Sequence, residues 1–302
     1  MKAFQVDFFV VGAARCGTTS LYNYLNQHPQ IYLPNIKELN YFSNVESKDY
    51  SVYKKPNKNE HYHTKIIKSY DIYKGLFESA NDNQVKGDIS PSYFWDIQTA
   101  QRIFEHNPNA KIIISLRNPV YRAFSHYVMN FGIGHEKHNS FDEALKAKRK
   151  PIWGGGNLYL ELSSYYDPVI SYYKLFKKEN IHLLIFEDWT ENKDNTLFEI
   201  FDFLDVNDQF MVNHSVKHNE KVAYKNIKTL NLLRTRFIKS FLELFVSTRT
   251  KDHLKGKLFN KNDFNIKLDP DLKIKLKEYF KNDVQQLQEF LGISLMRKWD
   301  LE

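Results

Sequence analysis

FFVVGAARCGTTSLYNYL, residues 8–25, is the stretch that decides the fold. Phe8-Phe9-Val10-Val11 is a short apolar run and reads as a buried strand. It ends at Gly12, and Gly17 closes a four-residue loop. From Thr18 onward, Leu21, Tyr24 and Leu25 fall on one face of a helix. Thr18, Thr19 and Ser20 bring hydroxyls to the helix mouth, where the first N–H groups lack intrahelical partners. Strand, glycine loop and helix start make a place for phosphate, because free N–H groups and the helix dipole both favour an anion.

The spacing is that of a Walker A loop, G-x-x-x-x-G-K-[ST], with one departure. Gly12, Gly17 and Thr19 fit, but Thr18 stands where the lysine that reaches the β- and γ-phosphates belongs. The cation lies inside the loop instead, as Arg15. Such a loop is poorly equipped for a γ-phosphate and suits a nucleotide that ends in a shorter anion. A P-loop kinase or NTPase is the first alternative, yet it calls for that lysine and a Walker B aspartate, and neither is evident. A strand-to-helix turn with glycines serving geometry alone would share the pattern.

A second strand and helix lie in AKIIISLRNPVYRAFSHYVM, 110–129. Ile112-Ile113-Ile114 is the core of a buried strand over Lys111 to Leu116, and Asn118-Pro119 ends it. Pro119 is tolerated near a helix start because its missing N–H would be unpaired there anyway. Val120, Phe124 and Tyr127 continue in helical phase. Arg117 at the strand end and Ser125 two turns into the helix are placed to reach one phosphate, with arginine supplying a forked, permanent charge.

On these residues the chain resembles the sulfotransferases that use 3′-phosphoadenosine-5′-phosphosulfate. GAARCGTTSL is similar to that family's G-x-x-[K/R]-x-G-T-[ST] loop, which binds the 5′-phosphosulfate. The resemblance implies that Ala14, Arg15, Cys16, Gly17, Thr18, Thr19 and Ser20 hold the donor, with Arg15 acting on the sulfuryl group. RNPVYRAFSHY is similar to the family's R-[ND]-P-x-x-R-x-x-S-x-[YW] block, implying that Arg117 and Ser125 bind the 3′-phosphate. KELNYF, from Lys37 to Phe42, resembles a recurring K-E-x-x-[YF]-F block. It implies that Glu38 is the general base and that Lys37 and Glu38 face the acceptor. His28, His126 and Asp88 are rivals for the base, since histidine serves in the members that act on small molecules. GDISPSYFW, 87–95, resembles a further block beside the site, although some glycan-modifying members carry lysine where Ile89 stands. The FED of 186–188 and the C-terminal helical pattern extend the likeness over nearly the whole chain, with gaps at 44–68, 131–152 and 247–265.

The 302 residues are 42% apolar and carry a net charge of +7, so the protein is globular and its partners are anionic. A lysine-rich surface serving solubility, or a non-catalytic polyanion-binding module, would share that charge. The only cysteine, Cys16, excludes an internal disulfide and reads as a small residue in a tight turn. Asp7 breaks the N-terminal apolar stretch and no run of about 18 apolar residues follows, so the expectation is a cytoplasmic protein without a transmembrane segment.

Helical spacing is expected near Tyr70 to Phe77, a short helix near Phe141 to Leu145, and a strand over 181–189 ending in Glu187-Asp188. Amphipathic helices follow at 196–206 and over the C-terminal LDPDLK stretch. Residues 44–68, with His61 and His63, read as a surface excursion and not a metal site, and Gly154-Gly155-Gly156 marks a flexible segment. The altered basic loop at 217–226 and a basic, apolar helix at 227–246 complete the reading. The expectation is one α/β domain over 1–302, a P-loop-like central parallel sheet flanked by helices on both faces. The resemblance implies sulfuryl transfer from 3′-phosphoadenosine-5′-phosphosulfate to a hydroxyl or amine, a carbohydrate by preference, with no metal and no nucleic acid partner.

Overall fold

Phe8-Phe9-Val10-Val11 is buried on both sides because its strand is the middle one of five. The computed structural model describes residues 4–43, 67, 69–132, 135–148, 158–214, 223–224, 259–260 and 266–302. The sheet contains β1 (Phe8–Gly12), β2 (Ile31–Tyr32), β3 (Val85–Ile89), β4 (Lys111–Leu116) and β5 (Ile181–Ile185). Their order is β2-β3-β1-β4-β5, and every pairing is parallel. The helices that matter for the core are α1 (Thr18–Leu25), α2 (Tyr70–Gly75), α3 (Gln98–His106), α4 (Pro119–Gly132), α5 (Phe141–Lys146), α6 (Tyr166–Tyr173), α7 (Phe186–Glu191), α8 (Lys193–Phe203), α9 (Pro270–Leu291) and α10 (Leu295–Lys298).

Side chains alternate across β1, so each face of the sheet takes its own helices. Phe8 and Val10 pack with Leu21, Tyr24 and Leu25 of α1 and with Leu197, Ile200 and Phe201 of α8. Phe9 and Val11 point the other way, toward Ile103 of α3, Val120 and Tyr127 of α4, Tyr172 of α6, and Phe280 and Val284 of α9. Burying each such side chain is worth about 1.5–3 kcal/mol, which is why the run folds as a central strand. The expected α/β architecture, with helices on both faces, is what the chain adopts.

Two elements differ from the sequence reading. VKGDI gives no strand signal, yet it forms β3 beside β1, with Gly87 opposite Phe8 and Asp88 opposite Phe9. Gly87 is required there by close approach, since a Cβ would sit 2.1 Å from the Phe8 ring. The strand over 181–189 stops at Ile185, and Glu187-Asp188 lie in the first turn of α7. Carboxylates at a helix N-terminus are favoured by its dipole, and here that preference wins over continued pairing.

No described helix is long and apolar enough to cross a membrane. His61, His63, Gly154-Gly155-Gly156 and the basic helix at 227–246 lie outside the described residues. Of the basic loop, only Ala223-Tyr224 is described, paired antiparallel with Phe259-Asn260.

The Gly87–Phe8 contact makes a direct test. Gly87→Ala should destabilise the protein by about 1–3 kcal/mol through overpacking, read as a lower urea midpoint. An unchanged midpoint would contradict the close approach.

Candidate active site

The carboxyl ends of β1 and β4 are neighbours, with Gly12 opposite Ile114. The glycine loop and the Arg117 turn therefore arrive at one end of the sheet. They meet where the chain, having built β2 and β3 on one side of β1, crosses to β4 on the other. Such a switch point leaves a crevice at the carboxyl ends of the strands.

The loop's own backbone explains what it can hold. Its carbonyls are all taken by the protein. Ala13 O accepts from Cys16 N at 3.3 Å and Gly17 O from Leu21 N at 3.0 Å. Ala14 O accepts from Arg122 Nη1 at 3.3 Å, Arg15 O from Arg117 Nη1 at 3.3 Å, and Cys16 O from Ser115 Oγ at 2.7 Å. The N–H groups of Ala14, Arg15, Gly17, Thr18, Thr19 and Ser20 have no hydrogen-bond partner among the described residues. The conformation turns on Arg15 (φ 71) and Gly17 (φ 86), both left-handed. Gly17 is also the N-cap of α1, and no side chain caps that helix. Successive N–H groups pointing one way form an anion-binding nest. Gly17 further admits the Phe186 ring and Trp189 beneath the loop, each 3.2 Å from where a Cβ would be. Buried Cys16 is packing, its thiol pushed up to about 12 by burial.

Three arginines converge here. Arg15 donates from Nε and Nη2 to Ser125 Oγ, at 3.2 and 3.1 Å, and from Nη1 to Met129 Sδ at 3.4 Å. Crowding by the protein, then the like charges of Arg117 and Arg122, lower its guanidinium to about 10, so it stays cationic at neutral pH. Arg117 lies over the Phe186 ring, 4.5 Å from the centroid. Its backbone is fixed by Tyr165, whose hydroxyl donates to Arg117 O at 2.8 Å, while Glu187 accepts from Asn118 N at 3.0 Å. Arg117, Ser125 and Arg15, read from two separate blocks, are thus brought together. The Arg15 hydrogen bonds run to α4 and not to the hydroxyls at the mouth of α1.

The second cluster comes from the chain after β2. Lys37 Nζ donates to Thr19 Oγ1 at 2.9 Å and to Glu38 Oε1 at 2.6 Å. Only 14% of the Lys37 side chain and 17% of the Glu38 side chain are exposed. Tyr22 of α1 reaches across to Pro34 O at 2.8 Å and holds the segment against the loop helix. Glu38 (φ 62) and Asn40 (φ 56) are left-handed, a costly backbone for non-glycine residues. A buried network compensates: Asn40 N donates to Ser90 Oγ at 3.1 Å, and Ser90 Oγ to Asp88 Oδ1 at 2.7 Å. Ser92 Oγ donates to Asn40 Oδ1 at 2.6 Å, and Asn40 Nδ2 to Glu38 O at 2.6 Å.

The rivals to Glu38 have other employment. His28 bridges Asn207 O and Gln30 N, at 2.9 and 3.1 Å. His126 turns Nδ1 toward Arg122 Nη1 at 3.5 Å; arginine only donates, so that nitrogen is the acceptor. Asp88 is buried behind the site, accepting also from Tyr93 OH at 2.6 Å and Tyr73 OH at 3.1 Å. Sequence reasoning assigns no role to Arg122, Ser115 or Glu187. Arg122 did carry a signal: it falls in the buried phase of α4 beside Ala123, where an arginine needs a polar reason. It donates to Tyr159 O at 2.7 Å and Ser163 Oγ at 2.5 Å as well as to the loop. Tyr165 and Tyr172 are fully buried.

A parallel α/β sheet with unpartnered N–H groups between β1 and α1, and with Arg15, Arg117 and Arg122 beside them, defines a fold of the P-loop-like class whose site suits an anion. The chain belongs to the sulfotransferase family, whose sequence model matches residues 7–209. The crystal structure of a sulfotransferase from Alicyclobacillus acidocaldarius is similar to it, with TM-score 0.71 and 26% identity over 99% of this chain and 100% of that one. Membrane-associated sulfotransferase kil1 of Dictyostelium discoideum is 24% identical over 76% of this chain and 66% of its own length. Carbohydrate sulfotransferase 15 of Homo sapiens is 24% identical over 66% of this chain and 43% of its own. The chain therefore spans between 43% and 66% of the lengths of these two curated relatives.

The Asp88 platform predicts a pH effect. Burial raises this carboxyl from 3.8 to about 6 despite three hydroxyl donors. Between those values the folded state binds the proton that the unfolded chain has released. Stability should then fall as pH rises from about 4 to 6, by up to about 3 kcal/mol, and level off above. Urea midpoints across pH 4–7 test this: subtracting the Asp88→Asn profile should isolate the decline, and parallel profiles would refute it.

Proposed function

We propose that this chain transfers a sulfuryl group from 3′-phosphoadenosine-5′-phosphosulfate to a hydroxyl of a carbohydrate. The observation that carries the reading is the pairing of two anion sites at one end of the sheet. The unpartnered N–H groups of the loop suit a 5′-phosphosulfate, and Arg117, Ser125 and Arg15 suit a phosphate on the same nucleotide's ribose. A γ-phosphate has no lysine at position 18 to receive it. The family membership and the likeness to carbohydrate sulfotransferase 15 support the donor and the acceptor class.

In this reading, Glu38 takes the proton of the acceptor hydroxyl as its oxygen bonds to sulfur. The bond between sulfur and the bridging oxygen breaks, and its electron pair leaves with the 5′-phosphate of adenosine 3′,5′-bisphosphate. Ala14, Cys16, Gly17, Thr18, Thr19 and Ser20 belong to the donor loop. Arg15 acts electrostatically, since a guanidinium is a poor proton donor. Its bonds to Ser125 support a role for that charge toward the ribose phosphate in this reading.

The donor is tested by binding. Adenosine 3′,5′-bisphosphate should bind without metal and ATP with Mg²⁺ should not; the reverse would return the chain to the kinases and NTPases. Arg117→Ala removes a charge-assisted contact worth about 1.5–3 kcal/mol, weakening the bisphosphate about tenfold or more. Adenosine 5′-phosphosulfate, which lacks the 3′-phosphate, should bind Arg117→Ala and wild type alike. Equal weakening of both nucleotides would remove Arg117 from the 3′ site.

The acceptor is tested by mass. A gain of one sulfate across a panel of sugars, lipids and small alcohols should fall on a sugar. On that acceptor, Glu38→Gln should lower turnover by about 10²–10⁴-fold, the worth of a general base. Bisphosphate affinity should stay near wild type. Turnover within about threefold of wild type would exclude Glu38 as the base.

A further inference from the structure

The ammonium of Lys37 contacts a side chain at the mouth of α1. Its Nζ is 2.9 Å from Thr19 Oγ1, in the first turn of the helix whose N–H groups are unpartnered. The arginines nearby are committed in other directions. Arg15 bonds to Ser125 and Met129, Arg122 to Ala14 O, Tyr159 O and Ser163 Oγ, and Arg117 to Arg15 O. Lys37 Nζ makes two hydrogen bonds to described residues, Thr19 and Glu38, and an ammonium has three N–H donors. With 14% of its side chain exposed, the charge is partly withdrawn from water, where it acts more strongly on a neighbouring anion.

We infer that Lys37 is a catalytic residue that hydrogen-bonds the sulfuryl oxygens of the donor and neutralises charge on them during transfer. This rests on the donor reading above and deepens it. Lys37 stays an ammonium throughout: the acceptor proton goes to Glu38, the new O–S bond forms, and the bridging S–O pair leaves with the bisphosphate. Two features make the placement purposeful. Thr19 and Glu38 both bond the ammonium, so it is oriented before the donor arrives. The left-handed turn at Glu38 and Asn40, secured by Ser90 and Asp88, fixes both members of the pair against α1. A preoriented charge aimed at the transferred group is the arrangement that lowers a barrier most.

The test needs no acceptor. Dissociation constants of 3′-phosphoadenosine-5′-phosphosulfate and adenosine 3′,5′-bisphosphate are measured for wild type, Lys37→Met and Lys37→Arg, with no acceptor present. Lys37→Met keeps the apolar stem and removes the charge. It should weaken the phosphosulfate about tenfold, equivalent to about 1.4 kcal/mol, and leave the bisphosphate within about twofold. Lys37→Arg should recover most of the loss. Bisphosphate binding doubles as the check that the variants fold. Equal weakening of both nucleotides would reduce Lys37 to a prop for Thr19 and overturn the inference, as would no change in either. Both results leave the donor reading intact. A wild-type protein that binds neither nucleotide would overturn that reading and this inference with it.

Discussion

The fixed direction of five consecutive carbonyls is the constraint on which this structure depends. From Ala13 to Gly17 each is bound by the protein, so the peptide planes cannot turn and the N–H groups are presented together. The partners come from different places: the loop, α1, Ser115 of β4, and Arg117 and Arg122 of the following turn and helix. A buried backbone group must be satisfied, and meeting that demand for the carbonyls is what leaves the donors facing outward. The candidate anion site is in this sense the remainder of a hydrogen-bond account that the rest of the sheet completes.

Gathering cations in that account has a cost. Arg15, Arg117 and Arg122 repel one another, and burial disfavours the charge of both Arg15 and Arg122. Arg122 bonds to carbonyls, a hydroxyl and an imidazole, with Glu161 the carboxylate whose charge acts on it from further off. Like charges crowded together are destabilising in a free protein, and a bound anion relieves them. The same fact separates the roles of the basic groups. Arg122 fixes the loop, Arg15 bonds to Ser125 while Arg117 holds the Arg15 carbonyl, and Lys37 contacts the Thr19 hydroxyl at the helix mouth.

The segment carrying Lys37 and Glu38 is held by a different device. Its two left-handed residues are not glycines, and they persist because neighbouring groups over-determine them. Asp88 at the end of β3 anchors Ser90, Tyr93 and Tyr73, and Ser90 in turn receives the Asn40 N–H. A buried carboxyl at that point is expensive, yet it aligns three hydroxyls with one group. The strand that carries it can approach β1 only because Gly87 leaves room for Phe8. A packing detail on one face of the sheet thereby reaches the geometry of the site on the other side of Asp88.

Much of this was legible in the chain because it depends on local rules. The apolar run at 8–11, the glycines at 12 and 17 and the phase of Leu21, Tyr24 and Leu25 specify strand, loop and helix within one short stretch. The strand ending before Arg117 and the helix carrying Ser125 were likewise legible from the Ile112–Ile114 run and from Pro119. What the chain could not say concerns groups distant in sequence. β3 has no apolar signal of its own and is a strand because β1 and β2 pair with it. Glu187 and Asp188 left the expected strand because a helix start there suited their charge. The turning of the Arg15 guanidinium to Ser125, 110 residues away, and of Lys37 to Thr19 was decided only when the sheet brought their partners within hydrogen-bond reach. Sequence determines which groups are available and what backbone each prefers locally. Tertiary packing decides which of several competing partners each charge takes, because a hydrogen bond is won by distance and direction.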